Sequence, residues 1–316
     1  MERCKELFQS LVVALRSRWR SLARCAVAVV SLLLLLLLGM LSQDSGYLSS
    51  LADKRFLHQG NNGNSSILID LTNFEYLQNP KICNGSAEDV MALVLILSHP
   101  SHINHRKALR EQMPGEILAE IGMRRAFLLG DPNVSQEQDP PVNQSKIDAE
   151  NNKFNDIVQG NFLDHFRNLT YKTVMGLTWA TRFCSRAAFI IKMDDDIAVD
   201  FFHIRQLLQT RYANIKNVLL GQVIINAKPY RTSSKYQVTQ EEYVGDEYPT
   251  YLRGGFYIAP METVRKLVLN AHRFRYLGIE DVFVTGIMAQ DLQIERRNID
   301  TKNEPLSSRK KNPQDE

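Results

Sequence analysis

From Val90 onward, short apolar runs alternate with longer stretches whose apolar positions recur every three or four residues. VMALVLILSHP (from Val90), RRAFLLG (from Arg124), AAFIIKM (from Ala187), NVLLGQVII (from Asn217) and GGFYIAP (from Gly254) are short and largely β-branched or aromatic, which predicts buried strands. Helical spacing marks four stretches: His105–Gln112, Tyr171–Cys184 with Met175, Trp179 and Phe183 four apart, Asp200–Tyr212, and Met261–His272 with Val264, Leu267, Val268 and Ala271. Strands alternating with helices predict an α/β fold on a mostly parallel sheet, and such sheets bind ligands beyond the carboxyl ends of their strands. Residues 42–85 are rich in Ser, Asn, Gly and Gln, with one apolar patch at Ile67–Leu71, and predict a stem. DPNVSQEQDPPVNQS (131–145) predicts a solvated loop, and 301–316 a polar, disordered tail. The folded domain is thus expected over 86–300.

One stretch obeys neither period. Cys25–Leu41 is an uncharged run, CAVAVVSLLLLLLLGML, of about 17 residues, at the lower limit for crossing a bilayer. Arg3, Lys5, Arg16, Arg18, Arg20 and Arg24 precede it, whereas Asp44 and Asp53 follow. The positive-inside rule makes 1–24 a cytosolic tail, 25–41 a transmembrane signal anchor and the rest lumenal; a cleaved signal peptide is the alternative. Asn-x-Ser/Thr sequons at Asn64, Asn84, Asn133, Asn143 and Asn168 all follow the run. Cys83 and Cys184 are the lumenal cysteines, a candidate disulfide in an oxidising compartment, with two buried free thiols as the other reading. The net charge of +3, with basic residues scattered or next to the apolar run, argues against nucleic acid as a partner.

Candidate chemistry gathers at two acidic clusters. In AAFIIKMDDDIAVD three aspartates close an apolar run, and if the chain stays extended the period of two sets Asp194 and Asp196 on one side and Asp195 on the other. Paired carboxylates suit a hard divalent ion; an acidic turn leading into a helix is the alternative. The second cluster, Glu280-Asp281-Val282, opens an apolar-periodic segment, where acids also favour the positive end of a helix. Between the two lies KYQVTQEEYVGDEYPTYLRGGFYIAP, aromatic-rich and containing the paired Gly254 and Gly255, which let a flat ligand approach the backbone.

Taken in order, HRKALREQM, RRAFLLG, DIVQGNFLDHFRNLTYKT, FIIKMDDD, KYQV, YPTYLRGGFYI and EDVFVTG resemble the β-1,3-galactosyltransferase-like family, glycosyltransferase family 31, from about Cys83 to Ala289. The resemblance implies a Golgi type II hexosyltransferase with a GT-A-type catalytic domain. Its donor would be a UDP-sugar carrying galactose or N-acetylglucosamine, its acceptor a glycan of a glycoprotein or glycolipid, and its product a β-1,3 linkage made with inversion. By that resemblance Asp194 and Asp196 would hold Mn2+ or another divalent cation, and Asp281 would be the base. Arg106, Arg110, Lys192 and Asp195 would lie near the donor, and Tyr248, Gly254, Gly255 and Glu280 along the acceptor cleft. The chain departs from the pattern at Met113, where relatives usually carry Trp, and at Leu252, where many carry Cys; no histidine follows His272. That last departure motivates the alternative of a catalytically impaired lumenal partner or short isoform of a related transferase.

Overall fold

The computed structural model describes residues 66–83, 90–132, 142–299 and 307–309. The expected cytosolic tail and anchor (1–41) lie outside the described residues, as do Asn64, Asn84 and Asn133. Among the described residues no helix is long and apolar enough to cross a membrane.

Twelve strands appear among the described residues: β1 (Ser66–Leu68), β2 (Leu71–Phe74), β3 (Tyr76–Gln78), β4 (Ala92–Leu97), β5 (Met123–Asp131), β6 (Ile157–Leu163), β7 (Phe189–Asp194), β8 (Ile197–Val199), β9 (Val218–Ile224), β10 (Tyr251–Pro260), β11 (Glu295–Asn298) and β12 (Ser307–Arg309). The main helices are α1 (Ile103–Gln112), α2 (Gly115–Glu120), α3 (Gln144–Phe154), α4 (Leu169–Phe183), α5 (Phe201–Thr210) and α6 (Met261–Asn270). A π-helix, Val282–Met288, follows α6. Eight strands form one sheet in the order β11-β9-β10-β7-β4-β5-β6-β3. The pairs β4–β5, β4–β7, β5–β6 and β9–β11 are parallel, while β10 and β3 run against their neighbours. The mostly parallel α/β class expected from the sequence is the one observed.

Strand periodicity divides the core in two. Leu93, Leu95 and Leu97 of β4 point to one cluster, with Val174, Met175 and Leu177 of α4 and Val264, Leu267 and Val268 of α6. Ala92, Val94 and Ile96 point to the other, with Leu118 of α2, Ile147 of α3 and Ile204 and Leu208 of α5. A strand covered on both faces has no need of polar alternation, and all six residues of β4 are buried. The Cys83–Cys184 disulfide closes a loop of sequence separation 101. On chain entropy alone a loop of that length is worth about 4–5 kcal/mol.

Two boundaries differ from expectation. The stem expected over 42–85 gives way by Ser66 to structure belonging to the folded unit: Leu68, Ile69 and Phe74 are buried in the core, and β3 pairs with β6 at the sheet edge. Side-chain bonds fasten this segment further, Tyr171 Oη donating to Asp70 (2.7 Å) and Trp179 Nε1 to Asn79 (2.8 Å). Its polar composition conceals a few deeply placed apolar residues. At the other end, the tail expected to be disordered contributes β12, which pairs antiparallel with β8 through the backbone. Backbone pairing with a free edge makes little demand on composition.

Candidate active site

β7 ends on Asp194, and β10 runs antiparallel to it with Phe256 opposite Met193 and Tyr257 opposite Lys192. Gly254 and Gly255 precede Phe256 on β10, so the start of β10 lies at the carboxyl end of β7, the edge at which α/β sheets bind ligands. A cleft of about 940 Å³ opens there. Lys192, Asp194, Asp196, Tyr248, Gly254, Gly255, Glu280 and Asp281 all line it. Two acidic clusters 84 positions apart in sequence, between Asp196 and Glu280, therefore share one cavity.

The chain does not stay extended through the three aspartates, since β7 ends at Asp194 and Asp195–Asp196 form a turn, yet the side chains still divide two to one. Asp194 and the exposed Asp196 face the cleft, while Asp195 turns toward α1. Its carboxylate accepts from Ser98 Oγ (2.6 Å) and sits 2.9 Å from His102 Nδ1 and 3.4 Å from His105 Nδ1. Burial alone would raise the Asp195 pKa, but these partners outweigh it and hold the carboxyl below its usual range. The backbone N–H of Asp195 donates to Leu97 O (3.1 Å), fixing the turn to β4.

Lys192 joins the two clusters. Its buried ammonium lies 2.9 Å from Asp194 Oδ1 and 3.3 Å from Glu280 Oε2, and it donates to Gly254 O. Burial would lower its pKa, yet Asp194 and Glu280 push it above the ordinary lysine value. Glu280 also accepts from Tyr257 Oη (3.2 Å), and burial lifts its pKa to about 7, against the pull of Lys192. Asp281 is half-buried at the start of the π-helix. One carboxylate oxygen accepts from Val282 N (2.9 Å) and the other from Gly254 N (3.0 Å). Burial raises its pKa too, with Lys192 and the two N–H donors opposing.

The two glycines are needed for this approach. A Cβ on Gly254 would lie 3.1 Å from both Cβ and Oδ2 of Asp281. A Cβ on Gly255 would meet Ile197 Cδ1 at 2.6 Å and stand 3.9 Å from Asp194 Oδ2.

Arg106 and Arg110, expected near the donor, are not brought into the cleft. Arg106 is fully buried and divides its donors among Glu150, Ser98 Oγ, His99 O and Pro100 O. Arg110 forms a two-pronged pair with Asp156 (2.9 and 2.7 Å) and bonds Glu150 (2.7 Å). Arg106 ties α1 to α3 and to the Ser98–Pro100 loop, and Arg110 ties it to α3 and to Asp156 at the start of β6, so in place of a position in the cleft both have their donors committed inside the protein. Several residues of the sequence motif beginning at Asp156 are committed inside the protein in the same way. Asp164 accepts from Gly130 N (2.6 Å) and Lys172 Nζ (2.7 Å), and Thr170 Oγ1 donates to Leu277 O (2.7 Å). That commitment also bears on the sequon at Asn168, whose Nδ2 donates to Leu163 O (2.9 Å). Asn143 is exposed and caps α3, accepting from Ser145 N (2.9 Å).

Sequence reasoning leaves out the aromatic lining of the cleft: Phe166, Tyr230, Tyr236 and Tyr251 line it together with the acids. Tyr230 is 61% exposed, so its ring meets solvent. The only signal in the sequence is the density of tyrosines before Gly254.

With this geometry in place, the chain compares as follows. Residues 104–300 match the family model described as Galactosyltransferase. Beta-1,3-galactosyltransferase 4 of Rattus norvegicus is 30% identical over 244 residues, covering 68% of this chain and 63% of that protein. Lactosylceramide 1,3-N-acetyl-beta-D-glucosaminyltransferase of Homo sapiens is 30% identical over 231 residues, covering 69% and 60%. Human beta-1,3-galactosyltransferase 5 is 30% identical over 209 residues, covering 66% and 63%. The chain therefore spans less than two thirds of the length of these relatives. Among solved structures, the apo structure of the bifunctional glycosyltransferase WbbM superposes at a TM-score of 0.37 and 12% identity, covering 68% of this chain and 40% of that one, a likeness too remote to carry an argument. The family model takes in α1, the motif from Asp156 and both acidic clusters, more than half of the chain, and the protein belongs to the galactosyltransferase family.

Proposed function

We propose that this protein transfers a hexose, galactose or N-acetylglucosamine, from a UDP-sugar to a hydroxyl of a glycan on a glycoprotein or glycolipid, forming a β-1,3 bond with inversion. The observation that carries the reading is the shared cleft, in which a carboxylate of raised pKa, Asp281, faces the same space as the pair Asp194 and Asp196. The donor set suits a divalent ion. Asp194 and Asp196 supply oxygens, and the Asp194 side chain is 41% exposed in the cleft. These two carboxylates would hold Mn2+ or a similar cation, which when bound neutralises charge on a diphosphate leaving group.

The protein's own groups do the rest. Asp281 takes the proton from the acceptor hydroxyl, whose oxygen bonds to the anomeric carbon as that carbon's bond to the UDP oxygen breaks. One displacement inverts the centre, so a single base is enough and no nucleophilic side chain is required. Gly254 N–H and Val282 N–H fix both Asp281 oxygens, which holds the base in place without a flexible partner. A raised pKa strengthens it as a proton acceptor. Lys192 keeps Asp194 and Glu280 from repelling one another across the cleft floor.

The apolar run at 25–41 and the sequons after it support a single-pass type II arrangement in the Golgi membrane, the catalytic domain in the lumen. Incubating the full-length protein with UDP-galactose or UDP-N-acetylglucosamine and a glycan panel, with and without Mn2+, tests the activity. Metal-dependent transfer to one acceptor class is expected. Folded protein that neither transfers nor hydrolyses any donor would favour a non-catalytic partner of a related transferase.

A further inference from the structure

We propose a second metal site, formed by His102, His105 and Asp195 on the far side of the aspartate turn and suited to Zn2+ or a comparable transition-metal ion rather than to Mn2+. His102 and His105 are three positions apart at the start of α1, so their rings lie side by side, with centroids 4.6 Å apart. Both aim the same nitrogen, Nδ1, at one carboxylate: His102 at Oδ2 of Asp195 (2.9 Å) and His105 at Oδ1 (3.4 Å). The three ligand atoms all lie within 4.8 Å of one another. In a tetrahedral zinc site, metal–ligand bonds of about 2.0–2.1 Å separate neighbouring ligand atoms by about 3.3 Å, a spacing that side-chain rotation of these three groups would supply. Two imidazoles with one carboxylate is a borderline donor set, and three protein ligands leave one coordination position for water.

The carboxylate is also supported from behind, as metal ligands commonly are. Its side chain is only 8% exposed, and Ser98 Oγ donates to Oδ2 while accepting from Nη1 of the fully buried Arg106 (3.0 Å). Glu150 in turn holds Arg106. The histidine side chains are 40% and 48% exposed, so an ion has access. An ion here would clip the start of α1 to the turn that carries Asp194 and Asp196. It would act as a structural clamp beside the cleft, independent of whether the protein transfers a sugar.

The test uses Co2+ as a spectroscopic stand-in for Zn2+ on the full-length protein stripped with chelator. Co2+ is expected to give the intense visible absorption of a four-coordinate site, saturating at one equivalent and bleached by Zn2+. Six-coordinate Co2+ on Asp194 and Asp196 would absorb only weakly. The double variant His102→Gln, His105→Gln should lose the intense band while binding UDP with Mn2+ as the wild type does. Absence of the band in wild type, or its survival in the double variant, would overturn the proposal. If the double variant does not fold, His105→Gln alone must lower Zn2+ affinity by roughly tenfold or more; unchanged affinity there would overturn it equally.

Discussion

Glu280→Gln should make the protein more stable at alkaline pH while leaving it unchanged in acid. Glu280 is buried, and its pKa is lifted from 4.5 to about 7, burial being the main cause and Lys192 the main opposing one. A carboxyl whose folded pKa lies above its unfolded value favours folding fully below about pH 4.5, and that contribution disappears as pH rises through 7. A shift of about 2.5 units at about 1.4 kcal/mol each gives about 3 kcal/mol lost by the wild type between those limits. Glutamine keeps the size of the side chain and an oxygen for Tyr257 Oη, but carries no charge to bury. Lys192 retains Asp194 and the Gly254 carbonyl as partners. Urea unfolding of both proteins at pH 4.5, 6 and 8 measures the difference directly. The two stability curves should meet at the acid end and separate by up to about 3 kcal/mol in favour of the variant at pH 8. A variant that is less stable at pH 8 would mean that the Lys192–Glu280 pair more than offsets the cost of burying the charge, and the reasoning from burial would fail.

Three further outcomes follow from the same geometry. Asp196→Ala should abolish Mn2+-dependent UDP binding in calorimetry, whereas Asp195→Ala should spare much of it, because Asp195 faces α1; equal losses at the two positions would refute the division of roles. Asp195→Ala should still lower the melting temperature, since the Ser98 hydroxyl would keep only its long bond to His99 O (3.4 Å), and a buried donor that loses its good acceptor costs up to about 1–3 kcal/mol. Gly254→Ala should cut turnover far more than stability, because the added methyl would press on Asp281 at 3.1 Å; transfer at the wild-type rate would show that the base tolerates displacement.

The architecture was readable where burial is two-sided. β4, β5, β7, β9 and β10 coincide with apolar runs, and α1, α4, α5 and α6 with helical spacing, because a sheet covered on both faces demands continuous apolar strands. β6 and β3 escape such a reading. Ile157–Leu163 carries Gln159, fully buried yet bonded to Gly130 O and Gln144, so its polar character conceals its depth. Strand β3 belongs to a stretch whose composition is that of a spacer. At the site, the division of Asp194 and Asp196 from Asp195 is the one strand period suggests, but the condition behind it fails: β7 ends at Asp194, and a turn at Asp195–Asp196 makes the division instead. The two arginines of α1 are different: a sequence motif marks them as important but cannot say whether they face a ligand or an internal carboxylate. Glu150 and Asp156, their partners, lie 40 and 46 positions away from Arg110, beyond the reach of local pattern. The aromatic lining and the His102–His105–Asp195 cluster likewise require contacts between distant segments.

Turnover of Asp281→Asn, measured beside its melting temperature, tests the central claim most directly. Asparagine keeps an oxygen for one of the two backbone donors but cannot accept the acceptor's proton. If Asp281 is the base, turnover should fall by about 10²–10⁴-fold with donor affinity near wild type, and the backbone N–H that loses its acceptor should cost about 1–3 kcal/mol of stability. Turnover close to wild type in a variant that has lost that stability would contradict the account and leave Asp281 as a capping residue alone.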